Sequence, residues 1–175
     1  NDKSEGEGQL YKLDPATGVY TPIGVNSGFT YNAMGYNPND NFLYAIANDK
    51  SLDGATDSLG NVLTRGDLIK IDAGGETFRV GYTGFPKASY SADIVGNELW
   101  MRTGSRQFAR VNLSTGAGTA VTLTGSLGAA DVVLVGTTLY GVNNNLLYSI
   151  DTAAAEPIPV NVYPITNMDY SSRFF

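Results

Sequence analysis

The chain has 175 residues, with 11 Lys and Arg against 17 Asp and Glu, a formal charge of −6, and neither His nor Cys. Without imidazole there is no Ser-His-Asp triad, and without thiol there is no cysteine nucleophile, disulfide framework or thiolate zinc site. The acidic balance argues against nucleic acid, which calls for a basic footprint, so the remaining chemistry belongs to carboxylates, hydroxyls, amides and hard cations such as calcium.

Residues 1–8 contain the run SEGEG and read as a flexible acidic lead-in. Residues 10–18, LYKLDPATG, follow as a hairpin with an Asp-started turn closed by Gly. Next come YNAMGY at 31–36 and NFLYA at 41–45, two short strand patterns joined by a polar turn. A polar insertion at 48–65 separates them from a second Asp-turn hairpin, LIKIDAGG, at 68–75. The same two halves then alternate. SADIV at 91–95 leads to ELWM at 98–101 and to the hairpin FARVNLSTG at 108–116. ADVVL at 130–134 leads to TLYG at 138–141 and to LYSIDTAA at 147–154. A last pair, NMDY at 167–170 and RFF at 173–175, carries the first half only.

The turn residues Asp14, Asp72, Asn112 and Asp151 recur at nearly even intervals once the insertion between the first two is discounted. A period of about 40–45 residues with four strands per unit is the mark of a β-propeller blade. No segment has helical periodicity, so the chain reads as all-β over 9–175. With the strands of each unit lettered A to D, the order is CD, three full ABCD units, then AB. Two closures fit. The terminal halves complete one another in a four-bladed ring, or the chain is half of a six- or seven-bladed ring completed by a second chain. The ending inside a strand pattern, at Phe174-Phe175, favours the larger ring, because an exposed aromatic half-strand is an aggregation hazard.

The pattern LYxLDPxTG at 10–18, followed by TPIG at 21–24, NAxGYN at 32–37 and DNxLYA at 40–45, resembles secreted propeller-like repeat proteins of fungi and bacteria whose function is unknown. The resemblance covers most of the chain and is sharpest over 9–47. It implies a six- or seven-bladed ring and brings no catalytic residues.

Three groups of residues could carry chemistry. In the insertion, Asp49, Ser51, Asp53, Ala55 and Asp57 follow the spacing D-x-S-x-D-G-x-x-D. Oxygen ligands at these places, with Gly54 for the sharp turn and the Ala55 carbonyl, suit calcium. The bland reading is a solvated loop whose Asp and Gly make turns. A second group is Asp93, Asp131 and Asp169, evenly spaced on the presumed innermost strands, with Gly35 at the corresponding place in the first unit. They either converge on a cation or sugar at a channel mouth, or accept backbone N–H bonds that lock blades together. Third, Trp100 and Arg102 share one strand face and could stack on a sugar ring. Trp100 also aligns with Tyr44 and Tyr140, as a recurring core aromatic would.

The sparse charge, the abundance of Gly, Ser, Thr and Asn, and one N-x-S sequon at Asn112 point to a secreted or cell-surface protein. No apolar run approaches the ~20 residues of a membrane helix. The expected function is a recognition propeller presenting loops to a carbohydrate or an extracellular protein. A carboxylate-dependent hydrolase or lyase acting on carbohydrate, and a structural matrix component, are the alternatives.

Overall fold

The computed structural model describes residues 8–48, 54–86 and 91–166. Among them are fourteen strands and no helix. Strands β1 (Leu10–Leu13) and β2 (Tyr20–Ile23) form a two-stranded hairpin. Three antiparallel four-stranded sheets follow, each in chain order. The first holds β3 (Tyr31–Asn37), β4 (Phe42–Ala47), β5 (Asp67–Ile71) and β6 (Thr77–Tyr82). The second holds β7 (Ala92–Val95), β8 (Glu98–Gly104), β9 (Gln107–Asn112) and β10 (Gly118–Thr122). The third holds β11 (Val133–Val135), β12 (Thr138–Asn143), β13 (Leu146–Asp151) and β14 (Asn161–Pro164). These are three complete propeller blades preceded by the outer half of another. The pattern expected at 167–175 lies outside the described residues.

Local chemistry explains the repeated motifs. At the start of each outer turn a side-chain oxygen collects N–H groups two residues on. Asp14 takes Ala16, Asp72 takes Gly74, Asn112 takes Ser114 and Asp151 takes Ala153, all at 2.9–3.0 Å. In the DNxLYA stretch, Asp40 accepts the Phe42 N–H and the Tyr44 hydroxyl. Tyr44 is buried, and burial together with Asp40 pushes its phenol well above the usual range.

The central strands are buried on both faces and accordingly read as near-continuous apolar runs, as FLYAIA in β4 and DLIKI in β5. Their side chains meet in three clusters, and each cluster is a seam between consecutive blades. Phe29, Ala45, Ile69 and Ile71 join the hairpin side to the first blade. Ile46 and Leu68 meet Leu99, Met101 and Val111 between the first and second blades. Trp100 and Phe108 meet Leu139, Ile150 and Ile158 between the second and third. Each fully buried Leu, Ile or Phe contributes about 1.5–3 kcal/mol, so the seams dominate the stability of the stack.

Two glycines let the backbones close at the outer rim. Gly75 (φ +84°) and Gly116 (φ +75°) lie in consecutive outer turns, where a Cβ would sit 2.7 Å from the Ile23 carbonyl oxygen and 2.6 Å from the Gly81 Cα of the preceding blade. Between the second and third blades the rim is also stitched by backbone bonds, Thr124 N–H to Ile158 O and Ile158 N–H to Thr122 O.

Two details differ from the spacing read in the sequence. The innermost strand of the third blade begins at Val133 rather than near Ala130. Cross-strand register pairs Gly35 with Tyr44, Asp93 with Trp100 and Val133 with Tyr140. The place of Asp93 in the second blade is therefore taken by Val133 in the third, and Asp131 lies just upstream of that position. The acidic series has a slightly shorter period than the blades and runs out of step with them.

Candidate functional site

The sequence-derived site residues occupy separate places. Asp93 accepts its own neighbour's N–H, from Ile94 at 2.8 Å, through one oxygen, and the Leu134 N–H at 2.7 Å through the other. The second bond crosses from β7 to β11, beside a parallel one from Val132 N–H to the Ser91 hydroxyl oxygen. Both carboxylate oxygens thus hold backbone, one of them on the next blade. Gly35, at the same register position, would bring a Cβ to 3.3 Å from the Ile94 nitrogen, so there the strands approach without a staple. Asp131 is exposed and borders an apolar groove on the face of the third blade turned away from the second, together with Val133, Tyr140, Val142 and Leu147. Asp169 lies outside the described residues.

Trp100 is 2% exposed, with its ring in the seam toward the third blade and the Arg110 guanidinium 5.9 Å from the ring centre. Its indole faces protein rather than solvent. Arg102 shares that face and donates to the carbonyls of Gly104, Leu127 and Ala129. Those bonds clamp the loop leading into the third blade.

Of the proposed calcium ligands, Asp49, Ser51 and Asp53 lie outside the described residues. Ala55 and Asp57 belong to a small hairpin closed by the bridge between Thr56 and Val62. Asp57 is buried and its oxygens are fully engaged. One accepts the N–H groups of Leu59 and Asn61, the other the Asn61 side-chain amide and the Arg79 N–H, at 2.8–3.0 Å. Burial opposes the charge, but these donors outweigh it and hold the carboxyl below the usual carboxylate range. Among the described residues no group of three or more acidic side chains is placed to hold a metal ion.

The insertion hairpin lies along the outer edge of β6. Besides the Asp57–Arg79 bond, Thr77 N–H donates to the Ser58 hydroxyl and Ser58 N–H to the Thr77 carbonyl. Beneath it, Asp67 is wholly buried. It receives Arg79 Nε at 2.7 Å and Nη2 at 3.1 Å, and the Thr64 N–H at 2.8 Å.

This docking creates a cleft that the motifs did not announce. It lies between the loop 24–27 after β2, the hairpin at 56–58 and the turn 74–77, with a volume of about 340 Å³. The lining mixes apolar surface, Val25 included, with the polar groups of Asn26, Ser27, Thr56, Ser58, Glu76 and Thr77, set among Gly24, Gly74 and Gly75. Each wall is held from behind. Asn26 accepts the Gly28 N–H, Ser27 donates its N–H to the Gly8 carbonyl and its hydroxyl to the Phe29 carbonyl, and Asp72 fixes the turn through the Gly74 and Glu76 N–H groups. The one available signal in the sequence was the insertion itself. The strand it docks against, β6, carries no local signature of that contact.

Solved structures similar to the chain are propellers. Mala s 1, the major allergen of Malassezia sympodialis, matches with a TM-score of 0.54 at 13% identity, over 88% of this chain and 51% of its own. The periplasmic gluconolactonase PpgL of Pseudomonas aeruginosa matches at 0.51 and 16%, over 91% and 52%. Virginiamycin B lyase of Staphylococcus aureus matches at 0.51 and 12%, over 91% and 50%. The chain spans about half the length of each, and at these identities the likeness concerns the fold. No curated protein matches the chain significantly. Residues 1–174 match the model of a repeat of unknown function, DUF6923, and the chain belongs to that family.

Proposed function

We propose that the protein is a secreted or cell-surface recognition propeller that binds a neutral carbohydrate in the cleft between the loop 24–27, the insertion hairpin and the turn 74–77. The observation that carries this reading is the cleft's construction: a pocket of small-ligand size, in which hydroxyls and amides on braced turns alternate with apolar surface, as the polar edges and apolar faces of a sugar ring require. Its carboxylates, Asp57 and Glu76, disfavour an acidic ligand, as does the net charge of −6.

Binding without turnover is favoured over the hydrolase or lyase reading. A carboxylate pair at a glycosidic bond needs one group free to give or take a proton. Asp57 has each oxygen accepting two N–H bonds, and freeing it would undock the hairpin.

The test is a glycan array followed by calorimetry on the hits. A neutral oligosaccharide is expected to bind without being cleaved, and Glu76→Ala together with Thr56→Ala is expected to weaken it about tenfold or more. Unchanged affinity in both variants, or product formation, overturns the reading. Calcium belongs to the same proposal, as an ion tying down the insertion through Asp49, Ser51, Asp53 and the Ala55 carbonyl, with Asp57 already committed. Titrating metal-free protein with calcium is then expected to raise the melting temperature. No shift at millimolar calcium removes the ion.

A further inference from the structure

Each described outer turn opens on a side chain whose oxygen gathers the N–H two residues on, and in three of them that side chain is a carboxylate. Asp14, Asp72 and Asp151 take the N–H groups of Ala16, Gly74 and Ala153. Asn112 stands at the same place in the second blade and takes that of Ser114 at 2.9 Å. It also accepts the Thr115 N–H at 3.1 Å and the Thr115 hydroxyl at 3.3 Å, all three through Oδ1. The turn therefore uses an oxygen that aspartate would supply equally well. The amide Nδ2 is left over. It makes no hydrogen bond among the described residues and is open to solvent.

A second difference falls in the same turn. Ala16, Gly74 and Ala153 carry no hydroxyl, because the turn asks only for their N–H, but the residue two beyond Asn112 is Ser114. Ser114 is exposed, and its hydroxyl accepts the Asn97 side-chain amide at 3.3 Å. The intervening Leu113 is 3% exposed and roots the turn in the seam with the first blade. The described outer turn with a spare amide is thus also the one with a hydroxyl two residues later. Together they spell Asn-Leu-Ser, the acceptor pattern for N-linked sugar.

We propose that Nδ2 of Asn112 carries an N-linked oligosaccharide, a modification that rests on the secretory route proposed above. In the transfer, Nδ2 attacks the anomeric carbon of an oligosaccharide held on a membrane-lipid diphosphate. The N–C bond forms as the C–O bond to the diphosphate breaks. The lipid diphosphate leaves with that electron pair, and Nδ2 gives one proton to a base of the transferase. The product amide keeps one N–H and its Oδ1. Every bond that Asn112 contributes to the turn through its side chain ends on Oδ1, so the turn survives the modification, and the sugar is attached at an atom that already faces water.

The experiment sends the full chain, behind a cleavable leader, through the secretory pathway of a eukaryotic cell. Its intact mass is measured before and after treatment with peptide-N-glycosidase. The expected result is one step above 18.6 kDa that the enzyme removes, leaving aspartate at position 112 in the peptide map. Asn112→Asp and Ser114→Ala copy what the other outer turns already have. Both are therefore expected to fold, with circular dichroism and melting as the check, and to be secreted at the bare mass. Wild type secreted at the bare mass overturns the proposal, as does sugar retained in either variant. Protein that is modified in this host but bare when isolated from its own source overturns the secretory route, and the native modification with it. Sugar binding by the cleft, measured on Asn112→Asp, stands or falls separately.

Discussion

At the residue scale, carboxylates in this protein are used as collectors of backbone N–H groups. Asp57 is the clearest case, with four donors on two oxygens. Asp57→Asn puts an amide nitrogen where one oxygen receives two donors, so a cost of about 1–3 kcal/mol is expected at neutral pH. The pH dependence follows from the direction of the shift. The folded carboxyl titrates below its ordinary value, so its contribution is complete above about pH 4 and is lost as pH falls through the lowered value. Urea melts should show wild type and Asp57→Asn far apart at pH 7 and converging as the pH falls below the ordinary carboxylate value; a gap that does not narrow as the carboxyl is protonated refutes the charge-based account. The sequence revealed Asp57 as an acid in a Gly-turn motif. Its principal long-range partner, the N–H of Arg79, is 22 residues away on another strand, and backbone donors leave no mark in side-chain spacing.

At the element scale, the blade is legible and its register only partly so. Turn chemistry at Asp14, Asp72, Asn112 and Asp151 sets the period, and the hairpins lie where those turns predict. The innermost strands are harder to read, because they are short and their pairing is fixed by cross-strand partners rather than by an internal pattern. This is why spacing aligns Asp131 with Asp93 although Val133 takes the position. Glycine provides a test at this scale. Gly18→Ala and Gly116→Ala both force a side chain into positive φ, a cost of about 1–2 kcal/mol. Only Gly116 also faces a neighbouring backbone, at 2.6 Å, and overpacking adds typically about 1–3 kcal/mol. Thermal melts should therefore show Gly116→Ala markedly the less stable of the two, and equal losses would mean that the rim does not close there.

At the scale of the whole molecule, stability is distributed along one direction, blade to blade, as in other repeat proteins. The absence of helical periodicity predicted an all-β chain, and the repeat predicted blades of four strands at a period of about 40 residues. The cleft at the rim escaped both, because it arises where an insertion in one blade meets a loop of the preceding one. Trp100 and Arg102 stood out by residue type, yet their positions serve the seam toward the third blade. The insertion hairpin has one more consequence. Its hydrogen bonds, from Asp57 and Ser58 to Thr77 and Arg79 and from Leu63 to Ala55, all stay within the first blade. It is therefore a portable cassette. A duplicated unit would carry its own hairpin, but Leu63 and Ala55 of the hairpin pack into the seam with Phe29, Ala45 and Ile69, so a unit losing it would change its rim and loosen that seam together.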